Sequence, residues 1–239
     1  MKIIISITLF LSFFLPGLSA NAQIMKEVRN NIDMTGYVSI SANWINVASM
    51  NNLFESYDYP VFNDVSPAWG GGSRMLYKEK FVIGFDYFNL INQRENHRSY
   101  DATFSGSMRL LCFGFCALNR PTLQIYPLFG IGIQSLTFKL TENTSLSFEE
   151  MLENPKRGIE ISRKDFFIDL GIQFDKFKHG EENRIFLWGV KAGYRFIPVG
   201  FRWRYNRSAL TDGPDAGIDG AYLQLNFGMR NVIRAIRGK

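Results

Sequence analysis

Apolar and polar positions alternate along most of this chain. In the stretch DFFIDLGIQFD, Asp165 to Asp175, Phe166, Ile168, Leu170, Ile172 and Phe174 share one face; Phe167, Asp169, Gly171 and Gln173 share the other. A strict period of two marks a strand whose faces meet different surroundings. The pattern recurs over Tyr37–Asn46, Ala68–Tyr77, Phe81–Leu90, Ala102–Phe115, Leu123–Phe138, Arg184–Phe196 and Gly220–Arg230, so eight strands are predicted. In the first, Val38, Ile40, Ala42 and Trp44 oppose Ser39, Ser41 and Asn43. In the fourth, Phe104, Met108 and Leu110 oppose Ser105, Ser107 and Arg109. In the seventh, Trp188, Val190, Ala192 and Tyr194 oppose Gly189, Lys191, Gly193 and Arg195.

The links between these segments alternate in length. KEK, ALNRP and KHGEEN are short turns; Val47–Pro67, Ile91–Asp101, Lys139–Lys164 and Ile197–Asp219 are long. Short turns at one end and long loops at the other is the layout of outer-membrane barrels. A turn centred near His179 and Gly180 predicts Asp169 opposite Lys191 and Gly171 opposite Gly189, both pairs on the polar face.

The character of the two faces decides between water and lipid. A soluble barrel turns its polar face to water and can carry charges there freely. Here the polar faces are mostly Gly, Ser, Asn and Gln, and the apolar faces are rich in Phe and Ile. The polar face therefore suits a confined interior and the apolar face suits hydrocarbon. With both termini on the short-turn side, Trp44, Trp69, Tyr87, Phe104, Tyr194 and Phe196 collect near the long-loop end. Tyr77, Phe81, Phe174, Trp188 and Phe227 collect near the other. Aromatic rings at both boundaries form the girdles of a lipid-embedded barrel.

Eight strands enclose a lumen that side chains fill. The predicted interior charges are Arg74, Asp86, Arg109, Asp169, Lys191 and Arg195. Unpaired charges would be costly there, so Asp169 is expected to pair with Lys191, and Asp86 with Arg74 or Arg109. Their expected role is to hold the walls together. Inward glycines, among them Gly171, Gly189 and Gly193, make room for large side chains from the opposite wall.

Composition refines this picture. Of the 239 residues, the first, MKIIISITLFLSFFLPGLSANAQ, combine Lys2, a short apolar run and Ala20-Asn21-Ala22. That is the layout of a secretory signal peptide cleaved before Gln23. The net charge is +5, from scattered rather than clustered basic residues, which argues against a nucleic-acid partner. Cys112 and Cys116 in CFGFC lie four residues apart on one strand face, about 13 Å. A disulfide needs Cα atoms within about 7 Å, so a bridge would require an intervening bulge or turn, and two free thiols, buried or facing lipid, are the expectation.

The runs LQIYPLFGIGIQ, VKAGYRFIPVGFRWRYN and DGPDAGIDGAYLQLNFG resemble the small outer-membrane β-barrel proteins, OmpA/OmpX-like in architecture. The resemblance implies an eight-stranded barrel, insertion by the cell's barrel-assembly machinery, and exposed loops. It implies no reaction. Many such barrels end on an aromatic at the chain terminus, whereas here Phe227 is followed by GMRNVIRAIRGK. Either the last strand runs further or a short basic tail follows it.

Candidate chemistry is sparse. His97 and Ser99 lie together in RENHRSYD on a predicted extracellular loop. A neutral imidazole can activate a hydroxyl, but no third group or nucleophile elbow accompanies them. Asp212, Asp215 and Asp219 in TDGPDAGIDG could bind calcium, yet their spacing fits no EF-hand and suits turns. Arg202, Arg204 and Arg207 share a loop and are close enough for the sugar phosphates of an outer leaflet. Ser147 and Glu150 form a capping box, predicting a short helix over Phe148–Glu153.

The sequence thus predicts an all-β, eight-stranded antiparallel up-and-down transmembrane β-barrel. Residues 1–22 form the signal and 23–239 a single domain, with strands over about 37–230. The expected location is the cell outer membrane, and the expected role is structural or interactive, through four extracellular loops. Its expected partners are outer-membrane lipid, the assembly machinery and an unidentified extracellular ligand or protein. No cofactor, metal or catalytic residue is predicted. The alternatives are a lipid-modifying barrel enzyme, a soluble periplasmic ligand-binding barrel and a narrow pore.

Overall fold

The computed structural model describes residues 32–97, 100–142, 158–179, 185–206, 208–211 and 213–232. The strands in chain order are β1 (Ile32–Trp44), β2 (Val65–Tyr77), β3 (Phe81–Leu90), β4 (Gln93–His97), β5 (Tyr100–Phe115), β6 (Leu118–Arg120), β7 (Leu123–Glu142), β8 (Gly158–His179), β9 (Ile185–Phe196), β10 (Arg204–Tyr205), β11 (Ser208–Ala209) and β12 (Gly220–Val232). Among the described residues one helix, α1 (Ala48–Ser56), follows β1. Eight of the strands pair antiparallel in the order β1-β2-β3-β5-β7-β8-β9-β12, and β12 pairs back onto β1 from Asp33↔Val232 to Asn43↔Tyr222. Closure leaves no open edge among these eight, which lets a sheet exist in lipid. The sequence-predicted signal peptide, the helix over Phe148–Glu153, Ser99, Arg207 and Asp212 lie outside the described residues.

β12 continues past Phe227 to Val232, so the closing strand is longer than the pattern indicated. β7 and β8 have 20 and 22 residues. A tilted spanning strand needs only about 9–11 residues, so their Glu142 and Gly158 ends stand well beyond a hydrocarbon layer. The link Ile91–Asp101 is not a free loop: β4 pairs β5 from Gln93↔Phe104 to His97↔Tyr100. β2 and β3 join through a tight turn in which Lys78 and Glu79 take positive φ of 49° and 58°. That handedness matches the right-handed twist of the flanking strands.

The faces divide as the period-two pattern predicts on every barrel strand except β5. Val38, Trp69, Ile133, Leu170, Trp188 and Leu225 point out and are exposed, whereas Ser39, Asp86, Gln134, Asp169, Lys191 and Gln224 point in and are buried. Such a belt would be costly in water, at about 25 cal/mol per Å² of apolar surface. Hydrocarbon is the surrounding that fits it. No helix among the described residues is long and apolar enough to cross a membrane; the crossing is made by strands.

β5 is inverted relative to the sequence expectation. Phe104, Met108 and Leu110 are buried in the lumen, while Arg109 is exposed on the outer wall beside Tyr87. The reason lies above the polar lumen. An apolar plug there packs Phe54 and Met50 of α1 and Phe62, Phe88, Phe104, Phe138, Phe167, Trp203 and Ile218 into one cluster. Within that plug an apolar strand face belongs inside. Phe104 accordingly leaves the expected girdle, and Leu111, Phe113 and Phe115 face outward instead.

The β8–β9 seam also differs. Asp169 lies opposite Arg195, Gly171 opposite Gly193 and Gln173 opposite Lys191. Pairing continues to His179↔Ile185, a register four positions on from the one a turn at His179 and Gly180 would set. The pairing slides by an even number, which keeps every side chain on its predicted face.

Candidate functional site

Inward-facing residues of β1, β2, β3, β8, β9 and β12 meet in the middle of the lumen. Arg74 donates to Asp175 at 2.6 Å, with both side chains buried. The Tyr37 hydroxyl donates to Asp86 at 2.5 Å. The Lys191 ammonium lies 3.4 Å from Asp86 and 3.3 Å from Asp169, bridging two walls. Arg195 lies 3.2 Å from Asp169 and donates to Asn43 at 2.7 Å. The Tyr222 hydroxyl donates to Asp169 at 3.0 Å, and the Arg195 guanidinium sits 3.9 Å from the Tyr222 ring centre. Gly171 and Gly193 leave the space that the Tyr222 hydroxyl fills, since a Cβ at either would lie 2.7 Å from it.

Of the sequence-predicted interior charges, Arg74, Asp86, Asp169, Lys191 and Arg195 therefore share one buried network, and Arg109 does not. Lys191 reaches Asp169 diagonally, although the two are not register partners. Arg74 closes its ion pair on Asp175, not on Asp86. The alternation sets Tyr222 on the polar face of its strand, as found; its part in the network, and that of Asp175 and Tyr37, was not foreseen. Parity with Asp169, Ser39 and Gln224 places all three inward, so the signal was present in the pattern. With Asp175 included, buried Arg74, Lys191 and Arg195 face buried Asp86, Asp169 and Asp175. The charges balance, three against three, as groups buried in a narrow lumen require. Cys112 packs against it, 3.6 Å from Asp86, and both cysteines are free.

The plug closes the mouth above. Trp203 is 1% exposed and its indole nitrogen donates to the Pro214 carbonyl at 2.7 Å. Asn51 of α1 holds Phe62 by two backbone hydrogen bonds of 2.8 and 3.0 Å. Gln134 accepts from the Ile218 amide at 3.1 Å and donates to Asp165 at 3.0 Å. Asp165 also accepts from Arg163 at 2.8 Å and from the Phe201 amide at 2.8 Å.

The weaker candidates are placed elsewhere. His97 lies 3.1 Å from Asp58 on the exposed surface, tying β4 to the segment after α1. Asp215 accepts from Arg163 at 3.0 Å. Asp219 accepts from Asn46 at 3.5 Å, and burial raises its carboxyl above the ordinary value. Among the described residues no cluster of His, Cys, Asp and Glu is arranged to hold a metal.

The chain covers 99% of Ail, the attachment invasion locus protein of Yersinia pestis, over 84% of its own length, with 10% identity and a TM-score of 0.50. The fold is that of the small eight-stranded outer-membrane barrels. At that identity the likeness is one of fold alone. The outer-membrane protein OprG from Pseudomonas aeruginosa aligns with a TM-score of 0.38 at 12% identity, covering 85% of this chain and 97% of OprG. No protein-family model matches the sequence, and no curated protein does. The closed wall, the outward apolar belt and the inward charges together make this chain a barrel of the outer membrane.

Proposed function

We propose that this barrel acts at the cell surface by binding through its extracellular loops, with a lumen that serves as a structural core. The observation that carries this reading is the filling of the lumen. A charge-balanced polar layer crosses its middle, and an apolar plug built from α1, the segment around Phe62 and the segment around Trp203 closes the outer mouth. Among the described residues, a lumen filled in this way argues against a continuous water path for ions. It also buries the groups that could do chemistry. Above the plug, Leu53, Tyr57, Val61 and Val199 stand exposed on segments tied down from below. Exposed apolar and aromatic groups on a rigid base favour recognition, because little ordering entropy is lost on contact.

Two measurements test the proposal. In planar bilayers the folded protein gives no steady single-channel conductance; a reproducible conductance removes the closed-core reading. In whole cells, a photo-cross-linker at Tyr57 or Val199 forms a discrete adduct with a surface or extracellular component. Absence of any adduct from both positions, with the barrel folded by heat-modifiable migration, removes the binding role.

A further inference from the structure

A groove of about 860 Å³ lies on the outer wall of the barrel, between β8 and the segment carrying β10. Its size falls within the range of ligand sites, roughly 300–1,000 Å³. The wall is the outward face of β8, where Glu160, Ser162, Lys164 and Phe166 follow one another at every second position and are all exposed. Ile133 of β7 pairs with Phe166 and completes the apolar end. The opposite side is formed by Phe201, Arg202, Arg204 and Asn206.

We propose that this groove binds a phosphate-bearing lipid of the outer leaflet. Two independent features point to that occupant. The first is continuity with the membrane belt. Below the pair Phe166↔Ile133 come Ile168↔Ile131 and Leu170↔Phe129, all on the outward face. An acyl chain lying on this wall therefore runs into the groove without crossing a polar barrier.

The second is charge. Lys164, Arg202 and Arg204 line the upper part of the groove, and among the described residues none of them has an ion-pair partner. Arg163 is different: its guanidinium is buried and already satisfied by Asp165 and Asp215. That leaves Glu160 as the remaining carboxylate at the rim against three cations. Arginines present planar forks suited to phosphate oxygens, and lysine adds a compact positive charge.

The groove is held open by structure beneath it. β10 pairs with β8 through Arg204↔Ser162 and Tyr205↔Ile161, and the Phe201 amide is fixed on Asp165 at 2.8 Å. The cations thus stand on the loop side of Phe166, where the head group of a lipid whose chains lie on the apolar belt would follow. Free phosphate shares the head chemistry but gains nothing from Ile133, Phe166 or Phe201.

The test uses the full chain refolded into phosphatidylcholine nanodiscs doped with bis-phosphorylated lipid A, with lipid retention after detergent washing read by native mass spectrometry. Wild type is expected to retain the lipid about tenfold or more better than a Lys164→Gln/Arg202→Gln/Arg204→Gln variant. A Lys78→Gln/Lys80→Gln/Arg120→Gln control at the opposite end should behave as wild type. Equal retention by the groove variant and wild type overturns the proposal. So does displacement of the lipid by millimolar inorganic phosphate, which would make this a free-anion site. If the groove variant does not migrate as a folded barrel, wild type alone decides. It must prefer bis-phosphorylated over dephosphorylated lipid A, and equal retention of the two overturns the proposal. None of these readouts depends on what the loops bind.

Discussion

Arg74 and Asp175, 101 residues apart in sequence, meet across the lumen at 2.6 Å with both side chains buried. The Arg74 guanidinium also lies 4.7 Å from the Tyr37 ring centre. This pair ties β2 to β8, which are not neighbours in the sheet. Removing one partner leaves the other charge buried without its counter-ion. Arg74→Met is therefore expected to destabilise the folded barrel by about 3–5 kcal/mol, and Arg74→Met with Asp175→Leu to recover most of that. Guanidinium unfolding in lipid vesicles measures both; a double variant no better than the single one counts against the pairing.

The plug depends on Trp203, which is buried among apolar side chains. Trp203→Ala leaves a cavity and is expected to cost about 3–5 kcal/mol. The loss should be local. Hydrogen exchange should rise in residues 198–219 while the barrel strands stay protected. Uniform protection throughout would show that Trp203 does not anchor the mouth.

Most of the wall was legible in the sequence because it obeys one rule, apolar out and small or polar in. Leu170, Trp188 and Leu225 follow it, and so does the inward set Asp169, Lys191 and Arg195. The rule failed at Phe104, Met108 and Leu110, where the lumen itself turns apolar. Period-two alternation reports that two faces differ, and nothing local reports which one meets the plug. Phe54, Phe62 and Trp203 come from segments with no strand pattern, and long-range packing alone joins them to β5. The β8–β9 register was misplaced for a related reason: it follows from where the turn is centred, and composition locates a turn only loosely. The outer groove was half visible, in Arg202 and Arg204. Lys164 and Phe166 joined it through the pairing of β10 with β8.

The thiols separate by environment. Cys112 is buried in the lumen, and Cys116 is half-buried at the strand end with its sulfur donating to the Leu118 carbonyl at 3.1 Å. Maleimide applied to the folded barrel is expected to modify Cys116 and to spare Cys112 until unfolding. Reducing agent should leave migration unchanged. Rapid labelling of Cys112 in the folded state would show that the lumen admits solvent.

At the mouth, burial is the largest influence on Asp219 and raises its carboxyl above the ordinary value of 3.8. A raised acid favours folding when protonated, so that contribution is full at low pH and is lost as pH rises through the raised value. Asp219→Asn is therefore expected to stabilise the mouth at pH 7 relative to wild type. The advantage should shrink on acidification toward pH 4. Thermal midpoints in detergent at the two pH values check this; an advantage independent of pH would assign it to something other than the charge.

The direction in which the β8 side chains point carries the whole assignment, and spin labels read it directly. In a chain whose two cysteines are replaced by Ala, a nitroxide is placed in turn at Leu170, Ile172, Phe167 and Gln173, and the protein is reconstituted in lipid vesicles. Labels at Leu170 and Ile172 are expected to collide freely with oxygen and poorly with a water-soluble nickel chelate, while those at Phe167 and Gln173 are immobilised and shielded from both. Nickel-accessible labels at Leu170 and Ile172, with oxygen-accessible labels at Phe167 and Gln173, would contradict a barrel that turns this apolar face to the membrane.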